Sequence, residues 1–130
     1  MPTIHPPLVN APMKLTVDNE EISLIQFIYD IILNQNLELF ILLKRIPTKE
    51  EIQSFQLTIR PQYNPDGNII TAISKSSMDP IALVTLFINE KRVGLKQFVQ
   101  NIIFGINFGI IQTLEGYTGK IEEIQLTYKK

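Results

Sequence analysis

The chain contains no cysteine and no tryptophan, and its single histidine is His5. Without thiols, disulfides and thiolate zinc sites are excluded, and the composition fits a cytoplasmic protein. One imidazole in a proline-rich segment argues against histidine-dependent triads and paired-histidine metalloprotease chemistry. Charge is scarce as well. Charged residues make up 19% of the 130 residues, below the roughly 25% usual for globular domains. The surface must therefore rely on Asn, Gln, Ser and Thr, or expose apolar area that a partner covers. A formal charge of −1, from 12 basic and 13 acidic side chains, gives no basic excess for general capture of nucleic acid or acidic lipid.

The amino-terminal stretch MPTIHPPLVNAP lacks a basic segment followed by an apolar one and does not read as a signal peptide. Pro2, Pro6, Pro7 and Pro12 make 1–12 an extended arm, which leaves 13–130 as a single domain. Met13 to Val17 alternates as a first strand. Asp18 with Glu21 three residues on resembles a capping box, and Ile22, Ile25, Ile28, Tyr29 and Ile32 follow at helical spacing. A helix over Asn19 to Asn34 is the expectation. Leu37 to Arg45 is an apolar run with the pattern of an inner strand. Thr48 with Glu51 suggests a short capped helix.

Ser54 to Arg60 alternates, with Phe55, Leu57 and Ile59 facing one way and Gln56, Thr58 and Arg60 the other. Asp66-Gly67 marks a turn after it, and Ile69 to Lys75 reads as its hairpin partner. For Ile81 to Asn89, Asp79-Pro80 could open a helix, but Val84, Thr85, Phe87 and Ile88 favour a strand, and a strand is the expectation. Lys96 to Leu114 is a second long helix ended by Gly116, and Lys120 to Tyr128 closes as a strand. The order is strand–helix–strand, hairpin, strand–helix–strand, with no internal repeat visible by residue identity. It implies an α+β two-layer sandwich, a mixed or antiparallel sheet with two long helices on one face, loosely ferredoxin-like with an inserted hairpin.

The run from Gln97 to Leu114 has no charge and carries Gly105 and Gly109 four apart, as in membrane helix pairs. Its amides Gln97, Gln100, Asn101, Asn107 and Gln112 cluster on one side, which suits a soluble helix better than a span. On a helical wheel Leu95, Phe98, Val99, Ile102, Ile103, Ile106 and Ile110 form the stripe expected to face the sheet. The glycines at its edge would allow close packing. Phe104, Phe108 and Ile111 then point outward among the amides, as an interface for a second copy or a partner helix.

GINFG follows several helical turns, so it matches neither a dinucleotide fingerprint nor a Walker loop. NPDGN mimics a calcium loop, but Lys75 stands where the bidentate glutamate is needed. Glu20-Glu21 and Glu50-Glu51 suit helix starts, and Glu122-Glu123 alternates across a strand, so no shared acid–base pair emerges. Lys91, Arg92 and Lys96 before the second helix form a candidate anion site, which Lys44, Arg45, Arg60 and Lys75 could extend. Tyr63 and Tyr117 are positioned near turns, where tyrosines can stack on bases.

No catalytic residue or cofactor is assigned, although an enzyme using only the hydroxyls, Lys75 and Asp79 around Ser74 to Asp79 stays open. The leading expectation is a non-enzymatic, self-associating protein-interaction or assembly protein of the cytoplasm. The alternative is a nucleic-acid or phosphate-ligand module built on the basic helix start.

Overall fold

The computed structural model describes residues 11–43, 48–63, 82–114 and 121–130. Strand β1 (Met13–Val17) turns Met13, Leu15 and Val17 inward and Lys14 outward. Asp18 and Asn19 take φ of 50° and 69°, the left-handed pair required by a two-residue hairpin. The chain returns as β2 (Glu20–Ile22), and only then enters helix α1 (Gln26–Phe40). Asp18 is therefore a hairpin residue and not the cap of a helix over Asn19 to Asn34. Its short side chain tolerates positive φ, and the carboxylate accepts backbone N–H groups far along the chain, at Glu122 and Glu123.

The inner strand expected over Leu37 to Arg45 is also absent from the described part of that run, Leu37 to Leu43. Leu37 and Phe40 form the buried last turn of α1. A short, wholly apolar run reads the same in a strand as in a buried helix end. Thr48 caps a 3-10 turn (Lys49–Glu51) in a capping box with Glu51, as its spacing implies. Strand β3 (Ser54–Pro61) keeps the predicted alternation, with Phe55, Leu57 and Ile59 buried. Strands β4 (Ala82–Ile88) and β5 (Lys91–Val93) form a second hairpin, followed by α2 (Gln97–Ile111) and β6 (Ile124–Lys129).

The six strands of the described residues form one antiparallel sheet in the order β2-β1-β6-β3-β4-β5. Both helices pack on one face, giving the two-layer α+β sandwich. β3 is flanked by β6 and β4 on its two edges, whereas the sequence pattern suggested Ile69 to Lys75 as its hairpin partner. That segment lies outside the described residues, as do the Asp66-Gly67 turn, Ser74 to Asp79, Lys44, Arg45, Gly116, Tyr117 and the first ten residues of the arm.

An internal repeat, which the sequence reading did not find, emerges once the elements are aligned. Hairpin, helix and strand (β1-β2-α1-β3) recur as β4-β5-α2-β6. Gln26, Phe27, Ile31, Ile32 and Asn36 of α1 correspond to Gln97, Phe98, Ile102, Ile103 and Asn107 of α2, each pair of identical type. The second hairpin repeats the first, with φ of 50° at Asn89 and 68° at Glu90. A pseudo-two-fold axis passes between the directly paired Leu57 and Leu126 at the sheet centre. Each half places its last strand against the other half: β6 lies beside β1, and β3 beside β4. The two halves are thus interlocked by strand exchange.

The exchange is fastened by equivalent polar contacts. Asp18 Oδ1 accepts the backbone N–H groups of Glu122 and Glu123, both at 2.8 Å. Asn89 Oδ1 accepts those of Gln53 and Ser54 at 2.7 and 3.1 Å. Each hairpin tip thus clamps the start of the other half's central strand, β6 or β3, and orients it into the sheet. The core beneath is apolar, with Phe40 edge-on to Phe55 at 5.1 Å and Phe55 stacked on Tyr128 at 5.3 Å.

Candidate functional site

The rotation of the two helices about their axes decides which residues reach the surface. It is set by a buried amide pair on the pseudo-two-fold. Asn36 Nδ2 donates to Asn107 Oδ1 at 2.8 Å, and Asn107 Nδ2 donates to Asn36 Oδ1 at 2.9 Å. Each Nδ2 also donates to the carbonyl four residues back, on Ile32 and Ile103. Four hydrogen bonds therefore satisfy two side chains that are almost wholly enclosed, where an unmade bond would be costly.

With Asn107 turned inward, the residues flanking it on the same side of the helix follow. Phe104 and Phe108 are only 3% and 7% exposed and stack on each other at 5.0 Å, and Ile111 is enclosed. Phe98 and Ile102 are instead 57% and 44% exposed. The expected orientation of α2 is thus reversed: Phe104, Phe108 and Ile111 belong to the core and cannot form an outer interface. The wheel placed the amides in solvent because amides usually are, whereas Asn107 is paired and Gln100 bonds backbone. Gln100 Oε1 accepts the N–H of Val84 at 3.1 Å, beyond the end of β5. Tyr29 plays the equivalent part, its hydroxyl accepting the N–H of Met13 at 2.9 Å.

The outer face that results carries Phe98 and Ile102 on α2 and Phe27 on α1, the last 68% exposed. Phe27 and Phe98 are equivalent positions in the repeat. Gly105 and Gly109 lie on this exposed side too, and a Cβ at either would meet nothing within 4 Å. They do not serve close packing inside the fold. No acidic or basic residue occurs anywhere in α2.

The predicted anion site is distributed over two elements. Lys91 and Arg92 are consecutive on β5 and project to opposite sides of the sheet, and Lys96 is the helix N-cap. Arg92 shares the helix-free sheet face with Arg60, Thr58, Thr85 and Gln125 around a shallow depression, and Arg60 is ion-paired with Glu123 at 3.0 Å. Tyr63 is fixed to backbone, its hydroxyl donating to the Ile121 carbonyl at 2.6 Å and accepting the Ile121 N–H at 2.9 Å. Burial raises the Tyr63 phenol above its ordinary range, and burial does the same for Tyr29, partly offset by the Met13 N–H. Glu20 and Glu21 are on a strand, not at a helix start.

The repeat also exposes an asymmetry. The outermost strands among the described residues are β2 and β5. At equivalent positions β2 carries Glu20 and Glu21, and β5 carries Lys91 and Arg92. All four are exposed, and none forms an ion pair among the described residues. Among the described residues no three His, Cys, Asp or Glu side chains gather as a metal site, and no helix is long and apolar enough to cross a membrane. No protein-family model matches the chain, and neither the curated proteins nor the solved structures searched contain a match to it.

Proposed function

We propose that the protein is a non-enzymatic assembly protein of the cytoplasm that self-associates through the outer face of its helix layer. The observation that carries this reading is the exposure of Phe98 and Ile102 on an uncharged helix. A large aromatic with more than half its surface in water gains about 25 cal/mol for each Å² of apolar area that becomes covered. A second copy suits this surface because it offers the same uncharged helix in return, as two-fold contacts require. Open space above Gly105 and Gly109 lets another helix approach closely. The cytoplasmic location rests on the cysteine-free composition.

Light scattering coupled to size exclusion, at about 0.5 M salt to screen charge contacts, tests the reading. The wild type should run as a dimer or larger and Phe98→Asp/Ile102→Asp as a monomer of unchanged circular dichroism. A monomeric wild type, or a double variant of unchanged size, would remove the support. Salt-sensitive binding of labelled single-stranded DNA by that monomer would move the weight to the phosphate-ligand alternative at Lys91, Arg92 and Lys96.

A further inference from the structure

From the opposite charges on the two sheet edges, we infer that a second copy of this chain docks edge to edge, β2 against the next molecule's β5, so that the sheet continues from one molecule into the next. A free edge strand presents unpaired N–H and C=O groups, and proteins usually blunt it with charge to prevent pairing. Here the signs differ. Glu20 and Glu21 repel a second β2, Lys91 and Arg92 repel a second β5, and the one combination left open is β2 with β5.

The strand directions permit it. Every neighbouring pair in the sheet is antiparallel, and with six strands β2 and β5 run in opposite directions. A molecule displaced along the sheet, without being turned over, therefore brings its β2 antiparallel to the previous molecule's β5. The faces agree as well. Glu21 is opposite Thr16 and Arg92 is opposite Phe87, so both side chains lie on the helix-free face. Centring the new pair on Glu21 and Arg92 sets those charges directly across from each other, at about 4.5–5.5 Å between Cβ atoms. In that register Glu20 and Lys91 become diagonal neighbours on the helix side, within about 7–8 Å. The helix layers of consecutive molecules then stay on one side, and neither sheet face is reversed.

Such a contact is head-to-tail: it leaves a free β2 at one end and a free β5 at the other. Repetition gives rows that grow unless the twist closes them into a ring. This surface is separate from the outer helix face, and it holds or fails independently of that contact. Glu90 adds one negative charge beside Lys91 and Arg92, so the basic edge is the weaker of the two and association should be readily reversed by salt.

Sedimentation velocity in the Phe98→Asp/Ile102→Asp background, which removes the helix-face contact, tests the inference at about 20 mM salt, where screening is weak. The background protein should form species that grow with concentration and return to monomer at about 0.5 M salt. Adding Glu20→Lys/Glu21→Lys makes both edges basic, and adding Lys91→Glu/Arg92→Glu makes both acidic. Each should weaken association at least about tenfold. Mixing the two variants should restore it, as should combining all four substitutions in one chain. The single changes Glu21→Lys and Arg92→Glu provide the same comparison with less disturbance. A background protein that is monomeric at low salt would overturn the inference. So would association unaffected by charge reversal, or a mixture of the two variants that stays monomeric.

Discussion

Replacing Asn36 by leucine should destabilise the protein, and replacing its partner as well should largely reverse the loss. The two amides exchange hydrogen bonds of 2.8 and 2.9 Å inside the helix–sheet layer. Asn36→Leu leaves the Oδ1 of Asn107 and one of its N–H donors buried without a partner, while the bond to the Ile103 carbonyl survives. At about 1–3 kcal/mol for each orphaned group, moderated by local relaxation, the cost is roughly 2–4 kcal/mol. Asn107→Leu should cost about the same, because the site is pseudo-symmetric. In Asn36→Leu/Asn107→Leu no polar group is stranded and two side chains of similar size meet, so stability should lie within about 1 kcal/mol of the wild type. Urea unfolding of the four proteins, compared by midpoint at constant slope, reads the cycle. Additive losses, with the double variant the least stable, would refute the account. Neutral single variants would do so too, because they would mean that water reaches the amides.

Other consequences follow from the hairpins, the tyrosine and the glycines. Asn89→Ala removes the acceptor for two backbone N–H groups and places alanine at φ of 50°; thermal unfolding should show a loss of about 2 kcal/mol. Glu90→Gly at φ of 68° should instead raise stability by about 0.5–1 kcal/mol, since glycine relieves the left-handed strain. Burial holds the Tyr29 phenol above its ordinary pKa, so its contribution is complete below about pH 10 and is lost as pH rises through the folded-state value. Tyr29→Phe should flatten that alkaline loss while costing about 1–2 kcal/mol at neutral pH through the unsatisfied Met13 N–H. Gly105→Ala, with open space around the new methyl, should stabilise the monomer by up to about 1 kcal/mol and weaken self-association if helices meet there. Denaturation and light scattering on the same sample separate the two effects.

What the sequence made legible was alternation. β1, β3 and β6 were readable because one buried face imposes a two-residue period, as at Phe55, Leu57 and Ile59; β4 was read from its β-branched and aromatic residues, against a helix that Asp79-Pro80 could have opened. The existence of α2 and the two-layer α+β class followed from the same kind of pattern. The start of α1 was misplaced because Asp18 is as good a hairpin residue as a helix cap, and three residues of β2 are too few to show a period. That error also hid the repeat, since the helices align only when α1 begins at Gln26. The orientation of α2 depended on Asn36, far away in the chain, which offers Asn107 a buried partner. No single-segment pattern contains that information. The edge charges were visible as letters, but their opposition at matching positions required the topology.

Strand exchange has a consequence for how the molecule is made. β1 pairs with β6, the last strand in chain order, while β3 is flanked by β6 and β4. The first half therefore leaves synthesis with β1 paired to β2 but lacking its other native neighbour, although a strand equivalent to β6, namely β3, is already present. Pairing of β1 with β3 closes a far shorter loop than pairing with β6, so entropy favours it early. The nascent chain thus carries its own competitor, and wherever that pairing forms it must open before the native sheet can assemble. Folding should be slow for a protein of this size, and most error-prone when copies are crowded, because β6 of one molecule can fill the vacancy beside β1 of another.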